Sequence, residues 1–211
     1  YRDINAVIAV DIAGNPVDLP ELRKIVGKDV KIILDDCDGY GTTFHGKFIE
    51  TYADVSCVSF HAAHIITTGE GGAVLTNDTE LAKKALKIRE WGRASGTDTI
   101  YKYPGFPDDY KERYVYEEIG YNLKPLELQC AMGRVQLKKL EKFKTLRARN
   151  HELLEKSFSP MKEFTVITNP DKTGPCWFSF AMLCTGTRRK YIMDALESHN
   201  IECRTIFSGN I

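Results

Sequence analysis

The sequence predicts an α/β protein: a parallel-sheet domain with helices packed on it, followed by a smaller α+β lobe. Three observations carry that expectation. AVIAVD (Ala6 to Asp11) and KIILDD from Lys31 are short apolar runs of buried-strand type, and between them LPELRKIVG (Leu19 to Gly27) has helical spacing. Strand, helix and strand at this distance make a βαβ unit, and hence a parallel pair. From Pro125 the chain turns strongly helical, and beyond it CWFSFAMLC, RRKYIMDALESHN and IECRTIF read as strand, helix and strand. Residues 1–149 are therefore expected to belong to the larger domain and 150–211 to the smaller lobe.

Taken in order, Asn15-Pro16 marks a turn after the first strand, and Gly27 stops the first helix. VSCVSF (Val55 to Phe60) is a third strand. GEGGAVLT turns into a fourth, and TELAKKALKIREWG from Thr79 has the pattern of an amphipathic helix. The stretch from Arg93 to Arg113 mixes Gly, Pro, Asp, Lys and Tyr without period and reads as a long surface loop, of the kind that is usually functional. After it, Leu126, Cys130, Gly133, Leu137 and Leu140 step by four and three. The pattern continues through Phe143, Leu146, Asn150 and Leu153 and predicts one helix long enough to join two lobes. Both ends read as cut, because the chain begins nearly in a strand and stops at IFSGNI.

Composition narrows the function. Lys+Arg and Asp+Glu both total 29, which argues against a dedicated nucleic-acid or membrane-surface binder. No apolar run approaches the roughly 20 residues of a membrane span, and no signal-peptide pattern opens the chain. The six cysteines are scattered without a CxxC, the pattern of buried thiols in a cytoplasmic protein and not of a disulfide framework.

Three constellations could carry chemistry. ILDDCDGYG (Ile33 to Gly41) lies at the carboxyl end of a buried strand, the edge where open α/β sheets bind ligands. Asp35, first after the apolar run, is placed to hold a protonated ring nitrogen, as an acid does in pyridoxal phosphate enzymes. The alternative is that Asp35 and Asp36 cap a turn. In SFHAAHIITTGEGGAVLTND (Ser59 to Asp78), Ser59 ends a strand where its hydroxyl could meet a phosphate, and Gly69, Gly71 and Gly72 let the backbone fold tightly beneath a ligand. His61, His64 and Glu70 could instead ligate a metal, a weak signal with no third histidine nearby, or His64 could be a plain structural histidine. In EEIGYNLKPLELQCAMGRVQL from Glu117, Asn122 could reach an anion or a neighbouring subunit, or could be turn chemistry alone.

Taken together, these stretches resemble the DegT/DnrJ/EryC1/StrS family, the sugar aminotransferases of fold type I that use pyridoxal phosphate. The resemblance covers essentially the whole chain and rests on the GNP turn at Gly14, DDCDGYG, SFHAAHIITTGEGGAVLTND, IREWGR, GYNLKPLELQCAMGRVQL and IECRTIFSGN. It implies a three-layer α/β/α large domain with a small α+β lobe. It also implies a further stretch before residue 1 that carries a phosphate-binding loop and the aromatic that stacks on the cofactor. The family's loop usually reads like SFHPTKNITTGEGG, and its Schiff-base lysine falls on His64. Imidazole cannot form that Schiff base, but it moves protons near neutral pH.

The resemblance is therefore to the sugar 3-dehydratase branch, where pyridoxamine phosphate is bound but not tethered and a nucleotide-activated 4-keto-6-deoxyhexose loses its 3-hydroxyl. It implies His64 as the proton carrier, Asp35 on the ring nitrogen, Asp38 and Ser59 at the cofactor, and Asn122 reaching the cofactor phosphate of a second subunit in a homodimer. Arg204 is a candidate for an anionic group of the substrate, or a surface arginine. One type in that branch carries an iron–sulfur cluster on cysteines after its WGR motif. Here no cysteine lies between Trp91 and Tyr121, so a thiolate-held cluster has no ligands there. The chain thus looks like the cluster-free type, with glutamate as amino donor, although GEGG and WGR sit nearer the other. A nucleotide-sugar aminotransferase or an iron–sulfur-dependent 3-dehydrase is the alternative, and a non-catalytic family member kept as a subunit or binding module is a third reading, disfavoured because Asp35, Ser59 and Asn122 persist.

Overall fold

The structure is a computed structural model that describes residues 4–95, 104–105, 107, 114–168, 170–184 and 188–206. The predicted βαβ unit is present. Strand β1 (Ala6–Val10) leads through a 3-10 turn at Ile12–Gly14 to helix α1 (Leu19–Val26) and then to β2 (Lys31–Asp35). β1 and β2 pair in parallel, with Val10 opposite Asp35. Asp18 starts α1 by accepting a hydrogen bond from the Glu21 amide at 2.8 Å, and Gly27 ends it.

Two short strands, β3 (Thr43–Phe44) and β4 (Lys47–Phe48), form a hairpin, and a 3-10 turn at Ile49–Tyr52 leads to β5 (Val55–Ser59), parallel to β2. β6 (Gly72–Leu75) returns antiparallel to β5, giving the sheet order β1-β2-β5-β6. Helix α2 (Thr79–Arg89) follows, with Asp78 accepting from the amides of Glu80 and Leu81.

One face of the sheet carries the core. Ala9, Ile32 and Leu34 pack with Leu19 of α1 and with Phe44 and Ile49, flanked by Val17, Leu22 and Val26. Each of the large aliphatics removed from water contributes about 1.5–3 kcal/mol. Strand alternation turns Ile33 and Asp35 of β2, and Cys57 and Ser59 of β5, to the other face. There Ile8 of β1 is 68% exposed, while Ile33, Asp35, Cys57 and Ser59 are half-buried.

The long helix expected from Pro125 is two helices, α3 (Glu127–Leu137) and α4 (Leu140–Phe158). The break at Lys138-Lys139 is a tightened turn: the Lys139 amide donates to the Gln136 carbonyl, three residues back, at 2.8 Å. Just past the break, Leu140 drives into a second core cluster with Ile65, Ile66 and Cys176.

The tail also differs from expectation. After β7 (Phe164–Val166) and β8 (Thr173–Gly174), only Met182–Cys184 of CWFSFAMLC forms a strand, β9, which pairs antiparallel with β7. β8 pairs with β3 instead. Helix α5 (Arg188–Ser198) is as predicted, but Ile201 to Ile206 finds no ladder partner among the described residues and forms no strand. The six cysteines are free, and only Cys176 is fully buried; Cys130 is exposed on α3. Most of the loop expected from Arg93 to Arg113, and the end of the IECRTIFSGN motif, lie outside the described residues. Among those described, no helix is long and apolar enough to cross a membrane.

Candidate active site

The sheet register assembles the first part of the site. Asp35 stands opposite Cys57, and Ser59 follows two residues on, on the same face. One oxygen of Asp35, Oδ1, accepts from the Cys37 amide at 3.2 Å, a turn-type bond. Both readings of Asp35 from the sequence are thus compatible with its position. Asp36, by contrast, caps nothing: it turns to the opposite, buried face and is fully enclosed.

Ser59 accepts a hydrogen bond from the His61 amide at 3.2 Å, which occupies its oxygen and leaves its own O–H for a ligand. The loop from Phe60 to Gly71 is tied at its base by the Phe60 amide to Gly71 O and the Thr68 amide to Phe60 O, both 2.9 Å. A Cβ at Gly71 would lie 2.5 Å from Thr68 Oγ1, and one at Gly72 2.7 Å from Val58 O. The crowding that requires glycine there comes from the chain itself.

His64 sits at the centre of this loop, with its side chain 21% exposed. Its Nε2 lies 3.8 Å from Asp38 Oδ1, and its ring stands edge-on to Phe178 (5.5 Å, 76°) and to His61 (5.6 Å, 67°). Nδ1 is buried and unpartnered. Asp38 is itself held by the Ala13 amide, which donates to Oδ2 at 3.2 Å. His61 faces a different acid, Glu70, at 3.7 Å, so the two histidines turn to separate carboxylates. Among the described residues no group of three or more His, Cys, Asp or Glu is arranged to hold a metal ion. A cavity of about 310 Å³ adjoins His64, walled by Ile65, Thr67, Gln136, Phe143 and Arg147.

The thiols near Asp35 are poor nucleophiles. Burial, a hydrogen bond to Asp35 and that residue's charge push Cys37 up to about 12, and burial also raises Cys57. Under the sheet end lies a group that the sequence reading missed. Asp11, at the end of β1, and Asp36, at the end of β2, are fully buried beside Glu50. Asp11 Oδ2, both oxygens of Asp36 and Glu50 Oε2 meet no donor. Burial raises all three carboxyls; the charges of Asp11 and Glu50 push Asp36 further and that of Glu50 pushes Asp11, while hydrogen bonds to Asp36 hold Asp11 and Glu50 back, so protons are shared among them. The one signal in the sequence is that two adjacent parallel strands both end in acids, a pattern that turn-capping acids share.

Asn122 and Arg204 are not gathered with the others. Both are exposed, and no hydrogen bond or ion pair joins either to Asp35, Asp38, Ser59 or His64 among the described residues. Asn122 is presented by a scaffold of its own. It bridges Glu90 backbone to backbone, while the Trp91 amide donates to Tyr121 O at 3.0 Å and the Tyr121 amide to Ile88 O at 2.7 Å. Trp91 lies under the Lys124 ammonium at 3.2 Å, which adds a cation–π contact to that turn.

A sheet that carries Asp35 and Ser59 on one face, beside a hairpin loop that presents a titratable side chain, is the scaffold of the fold type I pyridoxal-phosphate-dependent enzymes. The model of the DegT/DnrJ/EryC1/StrS aminotransferase family matches residues 2–211, and the chain belongs to that family. It is 34% identical to the dTDP-4-dehydro-2,6-dideoxy-D-glucose 3-dehydratase of Saccharopolyspora spinosa, over 98% of this chain and 48% of that protein. It is also 34% identical to the GDP-4-keto-6-deoxy-D-mannose 3-dehydratase of Escherichia coli O55:H7, over 97% and 54%. A solved structure of GDP-4-keto-6-deoxymannose-3-dehydratase with a trapped PLP–glutamate geminal diamine superposes with a TM-score of 0.89 at 30% identity, covering 100% of this chain and 55% of that one. The chain thus spans about half the length of the curated relatives it matches.

Proposed function

We propose that the protein removes the 3-hydroxyl of a nucleotide-activated 4-keto-6-deoxyhexose with pyridoxamine phosphate as coenzyme, in deoxysugar and lipopolysaccharide biosynthesis. The observation that carries this reading is the residue at the loop's centre: an imidazole, with Asp38 beside it, where an aminotransferase needs a primary amine. The similarity to two sugar 3-dehydratases supports it.

The residues fit the coenzyme. Ser59 has an O–H available for a phosphate and Asp35 a carboxylate that can accept from a ring N–H, and both are half-buried on the same face of the sheet. When bound, pyridoxamine phosphate supplies the amine that condenses with the sugar's keto group and the electron sink that lets the 3-hydroxyl leave. Asp35 holds the ring nitrogen protonated, which keeps that sink effective. Ser59 anchors the phosphate, and Asp38 lines the coenzyme side of His64. His64 takes up and returns a proton at the coenzyme's 4′ carbon, with Asp38 stabilising the imidazolium.

Asn122, exposed and separately scaffolded, reaches the coenzyme phosphate of the second subunit in a homodimer. Arg204 meets an anionic group of the substrate, and glutamate is the amino donor, as in the adduct trapped in the similar structure. Residues 1–149 then form part of the coenzyme-binding domain and 150–211 part of the small lobe, with α4 as the connector across that boundary. The working compartment is the cytoplasm.

The test is borohydride reduction of the full-length protein with pyridoxal phosphate, followed by peptide mapping. Coenzyme binding with no site-specific pyridoxyl-lysine is expected. A labelled active-site lysine would return the protein to the aminotransferases.

A further inference from the structure

Nothing within the loop fixes the ring of His64. Among the described residues, the His64 amide donates to His61 O at 3.0 Å and the ring finds no hydrogen-bond partner. Asp38 at 3.8 Å is beyond hydrogen-bond reach. Of the two rings that touch it, His61 is half-exposed on the same loop. The other, Phe178, comes from far along the chain and belongs to the second core cluster.

The backbone at Phe178 is fixed from three directions. Its amide donates to Ala13 O at 3.0 Å, in the turn after β1. Arg147 of α4 donates from Nη1 to Trp177 O at 2.8 Å and to Phe178 O at 3.0 Å. The Cys176 amide donates to buried Thr42 Oγ1 at 2.9 Å. Gly14, at φ 80°, lies so close that a Cβ on it would fall 2.5 Å from Cys176 O and 2.7 Å from the Phe178 amide nitrogen. Trp177 is pinned in turn by stacking on His151 of α4 (3.8 Å, 6°). The same turn after β1 supplies the Ala13 amide that holds Asp38, so one short segment sets both the acid and the aromatic wall beside His64.

We propose that Phe178 is a positioning residue for His64: its ring, carried on a clamped backbone, blocks rotation of the imidazole and keeps Nε2 turned toward Asp38. This rests on His64 being the proton carrier. A carrier free to rotate would spend most of its time misaligned, and a misplacement of about 1 Å can cost ~100-fold in rate.

The experiment uses the full-length protein with ¹³Cε1-labelled histidine, the His64 signal being assigned by its loss in His64→Asn. Phe178→Leu is compared with the conservative Phe178→Tyr. Expected for Phe178→Leu are a displaced and broadened His64 titration in the coenzyme-free protein, a kcat lowered about tenfold or more with a shifted pH profile, and coenzyme affinity within about twofold of wild type. Phe178→Tyr should restore the titration, the kcat and its pH profile. Should Phe178→Leu not fold, Arg147→Gln loosens the same clamp without touching either ring and is read the same way. A His64 titration and pH profile identical to wild type in the folded variant overturn the proposal. If the wild-type protein shows no dehydratase activity, the functional reading falls, and the titration of the coenzyme-free protein alone decides for or against the clamp.

Discussion

Replacing Asp36 with Asn is expected to stabilise the protein, increasingly so as pH rises. Asp36 is fully buried, neither oxygen has a donor, and Asp11 and Glu50 adjoin it. Burial, then the charges of Asp11 and Glu50, push its carboxyl up to about 10, and burial pushes Asp11 up to about 7. An unfolded aspartate titrates near ~3.9. The folded state therefore holds protons that the unfolded state has lost, which makes the sign unambiguous. The stability is fully present below about pH 4 and drains away as pH rises through the raised values. Each proton held only in the fold tilts the curve by ~1.4 kcal/mol per pH unit. An asparagine keeps the shape of the neutral acid and removes one such proton.

Chemical unfolding of the full-length protein at several pH values from 5 to 8 should show Asp36→Asn gaining on wild type at up to ~1.4 kcal/mol per unit. The gain stays below that ceiling where Asp11 and Glu50 release protons in its place. A stability difference that stays flat across that range would refute the shared-proton account of these three acids.

Leu140→Ala should cost ~2–5 kcal/mol, because it opens a cavity among Ile65, Ile66 and Cys176 at the start of α4; urea unfolding measures it. Burial lowers the pKa of His151, so protonating it opposes folding and wild-type stability should decline as pH falls through about 6.5. His151→Phe, which keeps a ring on Trp177, should flatten that decline; an unchanged acid limb in thermal unfolding would show that His151 is not its source.

Much of the sheet was legible in the sequence because each strand is a short apolar run bounded by a turn, and α1 and α2 show helical spacing, with Gly27 stopping the first; their capping acids, Asp18 and Asp78, emerge only from the structure. The break in the long helix was not, since one tightened turn at Lys138-Lys139 leaves the spacing of apolar residues almost unchanged. β3, β4 and β8 are two residues each, too short to show any period. IECRTIF has the composition of a strand, but a strand exists only where a partner offers its backbone. In the site, Asp35, Asp38, Ser59 and His64 stood out because their types and order matched a motif. Asp11, Asp36 and Glu50 did not, because an acid after a strand looks the same whether it caps a turn in water or lies buried. Phe178 is separated from His64 by more than a hundred residues, and only the fold brings their rings together.

The bonds that hold the Phe60–Gly71 loop have a consequence for descent. The Phe60 and Thr68 amides, Thr67 Oγ1 to Phe60 O, the Gly69 amide to Thr67 Oγ1, and Thr68 Oγ1 to Glu70 O frame it without the side chain at position 64. The loop's shape is therefore independent of the side chain at its centre. A lineage can exchange the residue at this one position while the backbone around it stays as it is.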